Sequence, residues 1–293
     1  MFLDIHAHCY RRRFFRLKGA DPWPTPDTLL ASYDRIGVDK GCLLPLIGPE
    51  INYPCSNEDV LEIAEQHPDR FIAFCNLHPR YVTNTPRAPL ADIFKQYRDA
   101  GARGVGEVTC NMRFTDPFMQ NFFAAVQEAG LPMTIHLAPR KDGYYGIIDD
   151  PGLPGLEETL MSFPELKILG HSPGFWTEIA PLETPFTRVG ACMTKITEEG
   201  VLVKLFRRYP NLYGDLSANS GATALTRDPD FAVKFMNEFQ DRLLFGVDIC
   251  SAKEYPRAYE LKAFLEKMLA EKKITQTVFD KITHRNAIRL LGL

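Results

Sequence analysis

The chain has 293 residues, of which 45% are hydrophobic and 24% are charged. This composition excludes a disordered chain, a collagen-like repeat and a coiled coil. Lys and Arg number 34 against 37 Asp and Glu, which leaves a formal net charge of −3 and argues against nucleic-acid binding over a broad surface. The seven Cys are scattered, and no signal peptide or membrane-length apolar stretch is visible, so we predict a cytoplasmic protein with reduced thiols.

Eight short apolar runs follow one another along the chain and predict eight strands. They cover residues 2–6, 41–47, 71–77, 104–108, 132–137, 166–171, 211–216 and 243–248. Their starts lie 28 to 45 residues apart, which is the length of a strand plus a helix. The runs lack a clean alternation of apolar and polar residues, as expected for parallel strands that are covered on both faces.

Amphipathic segments between these runs predict helices. The clearest cover residues 57–67, 90–100, 117–129, 195–209 and 275–290, and several of them are bounded by a capping residue, a proline or a glycine. The strict alternation of strands and helices predicts an α/β protein, a single (β/α)8 TIM barrel domain over residues 1–293. A doubly wound open sheet is the structural alternative.

Six side chains that are able to bind a metal lie at the C-terminal ends of predicted strands. His6 and His8 form an HxH pair on one face of the first strand, because strand side chains alternate in direction. The others, on four further strands, are Glu107, His136, His171 and Asp248. Since the ends of barrel strands converge on one axis, we expect these six side chains to form one metal site.

The sequence resembles the amidohydrolase superfamily in short motifs that follow one another along the chain. They are LDIHAH, GVGEV, TIHLAP, LGHSPGFW, LLFGVDIC and ITHRNAIRLLGL. More narrowly, the motifs resemble the amidohydrolase-related family that includes aminocarboxymuconate semialdehyde decarboxylase. The resemblance extends from Asp4 to Leu293 and implies a compact barrel with no N-terminal β-sandwich.

This resemblance also implies a metal-dependent enzyme. Carried over by position, the single-metal ligands are His6, His8, His136 and Asp248. His171 matches a second-metal ligand or a catalytic polariser, and Glu107 stands where some members bridge two metals. One metal is favoured over two, and imidazole and carboxylate ligands suit Zn²⁺ best, with Mn²⁺ or Fe²⁺ as alternatives.

Two reactions are compatible with these ligands. In a hydrolase that acts on an amide, ester or lactone, Asp248 would move the proton of the attacking water and His171 would polarise the scissile carbonyl. In a non-oxidative decarboxylase, the same two residues would handle the proton that replaces CO₂. Hydrolysis is favoured because the superfamily is mostly hydrolytic.

Candidate substrate contacts lie on the segments that follow the strands. Arg13 belongs to a cationic run at residues 11–18, which would suit a small anionic substrate, although a solvated loop or a subunit contact explains the run more simply. Trp176 and Arg140 are further candidates for the pocket wall. A TatD-like nuclease and an inactive binding barrel are minor alternatives, and the family suggests a homodimer.

Overall fold

The computed structural model describes residues 1–12, 24–51, 54–184, 188–190, 193–250 and 256–293. Its strands are β1 (Leu3–Ala7), β2 (Lys40–Leu43), β3 (Phe71–Ala73), β4 (Val105–Val108), β5 (Met133–Ala138), β6 (Ile147–Ile148), β7 (Ile168–His171), β8 (Leu212–Asp215) and β9 (Leu243–Leu244). Its helices are α1 (Pro26–Ile36), α2 (Asn57–Gln66), α3 (Leu90–Asp99), α4 (Pro117–Ala129), α5 (Pro154–Ser162), α6 (Pro173–Trp176), α7 (Val201–Arg208), α8 (Ala218–Thr226), α9 (Pro229–Glu238), α10 (Pro256–Ala270), α11 (Gln276–Asp280) and α12 (Asn286–Leu291). None of the described helices has the length and apolar character to cross a bilayer.

Parallel pairing joins the strands into a ring. The strands pair in the orders β1-β2-β3 and β4-β5-β7-β8-β9. A backbone hydrogen bond of 2.9 Å from Cys75 to Gly104 joins the segments after β3 and before β4, and one of 3.0 Å from Ile5 to Phe245 joins β1 to the end of β9. The short strand β6 pairs only with the end of β5. The other eight strands therefore form the predicted barrel.

Two apolar clusters pack this barrel from inside and outside. The smaller cluster takes Ile5, Phe74, Leu169 and Leu244 from strands around the ring and extends to Leu291 of α12. Strands from different sides of the ring can share one cluster only in its interior, so this cluster fills the barrel. The larger cluster lies between the strands and the surrounding helices. With α12 against one end of the interior, the C-terminal ends of the strands form the opposite face.

Two predicted helices differ from the observed ones for identifiable reasons. The helix predicted at 195–209 begins only at Val201, because Gly200 donates its N–H to the Ile179 carbonyl at 2.8 Å. The helix predicted at 275–290 is divided into α11, a π-helical turn at Lys281–Arg285 and α12. The carbonyl of Ile282 in that turn accepts the N–H of Phe245 at 2.9 Å, so the widened turn ties this helix to the barrel.

Candidate active site

His6 and His8, at the C-terminal end of β1, direct their Nε2 atoms at each other across 3.1 Å. His6 Nδ1 lies 2.6 Å from Asp215 Oδ2, and His8 Nδ1 lies 2.8 Å from the Leu44 carbonyl oxygen. Because both partners are acceptors, each Nδ1 is a donor, and the lone pair of a neutral ring then lies on Nε2. Two lone pairs at this distance repel each other unless a proton or a metal ion lies between them.

Glu107, on β4, lies between this pair and two further imidazoles. Its Oε2 is 3.6 Å from His6 Nε2 and 3.3 Å from His8 Nε2. Its Oε1 is 2.6 Å from Nδ1 of His136, on β5, and 3.8 Å from Nε2 of His171, at the end of β7. One buried carboxylate therefore contacts both halves of the cluster.

Asp248, in the segment after β9, faces the same group of imidazoles. Its Oδ1 lies 3.7 Å from His8 Nε2, and its Oδ2 lies 3.8 Å from His171 Nε2. Its backbone N–H donates to the His6 carbonyl at 2.9 Å, and its φ of 54° is left-handed, a conformation that is costly for a non-glycine residue and clusters at functional sites. The Asp248 side chain is 13% exposed while that of His6 is fully buried, so Asp248 is the more accessible of the two.

Electrostatics favour a cation at this cluster. Burial by itself would lower the pKa of His6, but the charges of Asp215, Asp248 and Glu107 raise it well above its usual value. Burial would likewise raise the pKa of Glu107, but the charge of His6 and the hydrogen bond from His136 hold it well below its usual range. Burial and the nearby charge of His6 lower the pKa of His171 to about 4. The carboxylates that raise the pKa of His6 favour a positive charge at this cluster.

The donor atoms fit a metal in three groups of three side chains. The groups are His6, His8 and Asp248; His6, His171 and Asp215; and Glu107, His136 and His171. His136 is thus grouped with Glu107 and His171, apart from the three other residues of the predicted single-metal set. Two nitrogens bound to a tetrahedral Zn²⁺ lie roughly 3.3 Å apart, and the Nε2 atoms of His6 and His8 are 3.1 Å apart. The first group therefore suits such an ion.

A cavity of about 240 Å³ lies beside the cluster. It is lined by His136, Tyr145, His171, Pro173, Ala218, Asn219, Ser220, Val247, Asp248 and Cys250. The Tyr145 ring lies 4.4 Å from the His136 ring and adds an aromatic wall. A larger cavity of about 550 Å³, around Leu3, Phe71 and Leu293, lies at the opposite end of the barrel and contains none of the six predicted ligands.

Two of the three predicted substrate contacts, Trp176 and Arg140, do not line this cavity. Trp176 is 2% exposed, and its indole N–H donates to the Asp215 carbonyl at 2.8 Å, so this ring packs behind β8 and does not line the cavity. Arg140 is exposed and its guanidinium lies 5.2 Å from the centre of the Tyr144 ring. It does not line the cavity either. Arg13 lies outside the described residues.

Two polar residues that the sequence did not single out contact imidazoles of the site directly. Asp215, at the end of β8, accepts from His6 Nδ1, and the nearby Ser217 Oγ lies 3.0 Å from His171 Nδ1. Asp4 lies two residues before His6 on β1 but does not contact an imidazole nitrogen. Its carboxylate accepts the backbone N–H of His6 and of Val247 at 2.9 and 2.8 Å. The available signal was the end of a predicted strand, which Asp215 shares with the six metal-binding candidates.

A family model described as amidohydrolase matches residues 54–293. The chain belongs to the amidohydrolase family. This match begins after β1, so it includes Glu107, His136, His171 and Asp248 but not the HxH pair. No curated protein matches the chain.

Solved structures with the same fold come from several bacteria. A 5-carboxyvanillate decarboxylase of Novosphingobium aromaticivorans, a mutant with bound manganese and 3-methoxy-4-hydroxy-5-nitrobenzoic acid, is 15% identical, with a TM-score of 0.62 over 100% of this chain and 97% of that chain. A probable 2-pyrone-4,6-dicarboxylic acid hydrolase of Acinetobacter baumannii, with citric acid bound, is 14% identical, with a TM-score of 0.59 over 100% and 99%. An uncharacterized TIM-barrel protein of Bordetella bronchiseptica is 21% identical, with a TM-score of 0.59 over 90% and 81%. At these identities the likeness shows the fold alone.

Proposed function

We propose that this amidohydrolase is a metal-dependent hydrolase of a small substrate and that His6, His8 and Asp248 hold its metal. The observation that carries the proposal is the convergence of two Nε2 atoms, each fixed by an acceptor at Nδ1, beside a carboxylate that faces a cavity. A divalent metal bound there would lower the pKa of a coordinated water and polarise a substrate carbonyl. Zn²⁺ is our first choice for this metal, with Mn²⁺ or Fe²⁺ as alternatives.

Two residues on the cavity wall assist the reaction, Asp248 by moving protons and His171 by polarising the substrate carbonyl. Asp248 is accessible from the cavity and takes the proton of the attacking water, which it then delivers to the leaving group. His171 stays neutral because its pKa is about 4, and Ser217 holds its Nδ1 at 3.0 Å. The ring is thereby oriented with Nε2 toward Asp248, where a substrate carbonyl could accept a hydrogen bond.

A substrate panel tests this proposal. Zinc-loaded protein is incubated with lactones and esters, whose acid release is followed with a pH indicator, and with amides, whose acid product is measured by chromatography because the released amine takes up the proton. The control is the His6→Ala variant prepared in the same way. Release of acid that depends on both His6 and added zinc is expected. A full panel without such release would contradict the hydrolase.

Decarboxylation is the second candidate. It is favoured by the likeness to the 5-carboxyvanillate decarboxylase with bound manganese and by the aromatic wall that Tyr145 gives the cavity. Aromatic and unsaturated carboxylates in the same panel, read out for CO₂, separate the two reactions. Release of CO₂ without hydrolysis of any ester, lactone or amide would assign the second reaction.

A further inference from the structure

We propose that Cys250 is a positioning residue for Asp248. Its thiol holds Oδ1 of that carboxylate toward the His6–His8 pair and leaves Oδ2 free on the cavity side. The inference rests on the proposed function, because it concerns the group that supports a proposed metal ligand. It gives a role to a thiol on the cavity wall that the proposed reaction does not otherwise use.

The Cys250 thiol lies against the side chain of Asp248, two residues earlier in the chain. Cys250 is half-buried and lines the cavity. Its Sγ lies 3.0 Å from Asp248 Oδ1 and 3.2 Å from the Asp248 carbonyl oxygen. A carbonyl oxygen and an ionised carboxylate can only accept, so the thiol is the donor. The bond to the charged carboxylate is the stronger of the two.

With this contact, each member of the His6, His8 and Asp248 group has a hydrogen-bond partner behind it. The two imidazoles are held at Nδ1 by a carboxylate and by a backbone carbonyl. Among the described residues, the Cys250 thiol is the one donor within hydrogen-bond distance of the Asp248 carboxylate, since the imidazole nitrogens lie 3.7 to 4.0 Å away. Partners of this kind orient metal ligands.

The two oxygens of Asp248 face different parts of the site. Oδ1 lies 3.7 Å from His8 Nε2 and 4.0 Å from His6 Nε2, whereas Oδ2 lies 3.8 Å from His171 Nε2. The terminal torsion of an aspartate has a broad energy profile, so without a donor on Oδ1 the carboxylate can rotate and move both oxygens. With the thiol in place, Oδ2 is the oxygen that receives the proton of the attacking water.

Cys250 supports the site as a donor and not as a metal ligand. Its sulfur belongs to none of the three groups of donor atoms that fit a metal in the described part of the chain. The two roles exclude each other, because a cysteine that binds a metal is a thiolate and has no proton to donate to Oδ1. This difference makes the role of the sulfur measurable.

Paired substitutions at Cys250 test the proposal. Cys250→Ser keeps a donor of nearly the same shape, and Cys250→Ala removes it. We expect Cys250→Ala to weaken zinc binding about tenfold and to lower kcat about tenfold, with KM changed less than twofold, and Cys250→Ser to stay within about threefold of the wild type. Competition with a chelating dye measures the zinc Kd, and the substrate panel gives kcat and KM. The control is Cys110→Ala, at a buried thiol that contacts Met119 of α4, and should change none of them.

Three results would overturn the positioning role. The first is an equal effect of Cys250→Ala and Cys250→Ser, or no effect of either. The second is a rise in KM at constant kcat and zinc affinity, because Cys250 would then only form part of the cavity wall. The third is a sulfur-to-metal charge-transfer band in cobalt-loaded wild type that is absent from Cys250→Ser, which would make Cys250 a ligand.

Circular dichroism shows whether each variant keeps its fold, and Cys250→Val removes the donor in its place if Cys250→Ala does not fold. A wild type that turns over no substrate of the panel contradicts the hydrolase only, and the zinc affinities of the variants then decide on Cys250. Hydrolysis with the same kcat and zinc affinity in the wild type, Cys250→Ser and Cys250→Ala contradicts the positioning role only.

Discussion

The two halves of the metal-binding cluster are built differently. In the β1 half, His6 and His8 are fixed at Nδ1 by Asp215 and by the Leu44 carbonyl, and their Nε2 atoms meet at 3.1 Å. In the other half, His136 Nδ1 and Glu107 Oε1 are 2.6 Å apart, a donor and an acceptor that satisfy each other. The β1 half thus needs a proton or a metal ion between its nitrogens, whereas the Glu107–His136 pair is complete without one. In our proposal the first metal therefore replaces a proton at β1.

Replacing His6 should have the largest effect. His6→Ala removes one of the two converging nitrogens, so we expect loss of bound zinc and a fall in turnover of about a thousandfold or more. Elemental analysis measures the bound zinc, and an assay with the panel substrate measures the turnover. His67→Ala, at the C-terminal end of α2, is the matched control and should keep both. Near-normal turnover of His6→Ala would refute the assigned site, as would near-normal turnover of Asp248→Ala.

Weakening the support of His6 should have the next largest effect. Asp215→Asn keeps the shape of the side chain but removes the charge that holds the Nδ1–H of His6, so zinc affinity should fall about 10- to 100-fold. Competition with a chelating dye measures the Kd. Asp150→Asn, at an exposed aspartate paired with Arg113, should leave it unchanged. Unaltered zinc affinity in Asp215→Asn would show that Asp215 does not position the ligand.

Glu107 tests whether the second half holds a metal of its own. Because the Glu107–His136 pair is complete by itself, we expect one zinc per chain in the wild type and also in Glu107→Gln, with only a modest fall in turnover. The number of zinc ions per chain is measured by elemental analysis, after the protein is equilibrated with excess zinc and the free metal is removed. A wild type with two zinc ions and a variant with one would assign Glu107 as a bridge between two metals.

The sequence predicted the barrel and its family because both depend on patterns that are local. Apolar runs at the spacing of a βα unit locate the strands, and motifs such as LGHSPGFW place ligand residues at their ends. The family and the barrel are confirmed, and the structure brings His6, His8, Glu107, His136, His171 and Asp248 together as predicted. Their functional roles stay predictions.

The contacts that organise the site could not be predicted in this way. Asp215 and His6 are 209 residues apart, and no local pattern indicates which strand-end carboxylate meets which imidazole. Trp176 follows a strand as a pocket aromatic would, but one sequence cannot show whether such a ring faces the cavity or the helix layer. The contact between the Cys250 thiol and Asp248 likewise depends on the path of the chain after β9, which only the structure shows.

Asp4 should have the smallest effect on the site, although it lies directly behind the β1 half. Its carboxylate accepts the N–H groups of His6 and Val247 and the hydroxyl of Tyr33, so it links β1, α1 and the segment after β9. Burial raises its pKa from 3.8 to about 7. A carboxyl with a raised pKa contributes stability that is complete below about pH 4 and is lost as the pH rises to about 7.

Asp4→Asn should remove this dependence because the amide cannot ionise. In metal-free protein, the free energy of unfolding of the wild type relative to Asp4→Asn should fall between pH 4 and pH 7, by on the order of 4 kcal/mol, and stay constant above. Urea denaturation at a series of pH values measures it, with Asp34→Asn, an exposed aspartate of α1, as the control. A relative stability that rises with pH would mean that the surrounding donors favour the ionised carboxylate, so that Asp4 supports the β1 half as an anion.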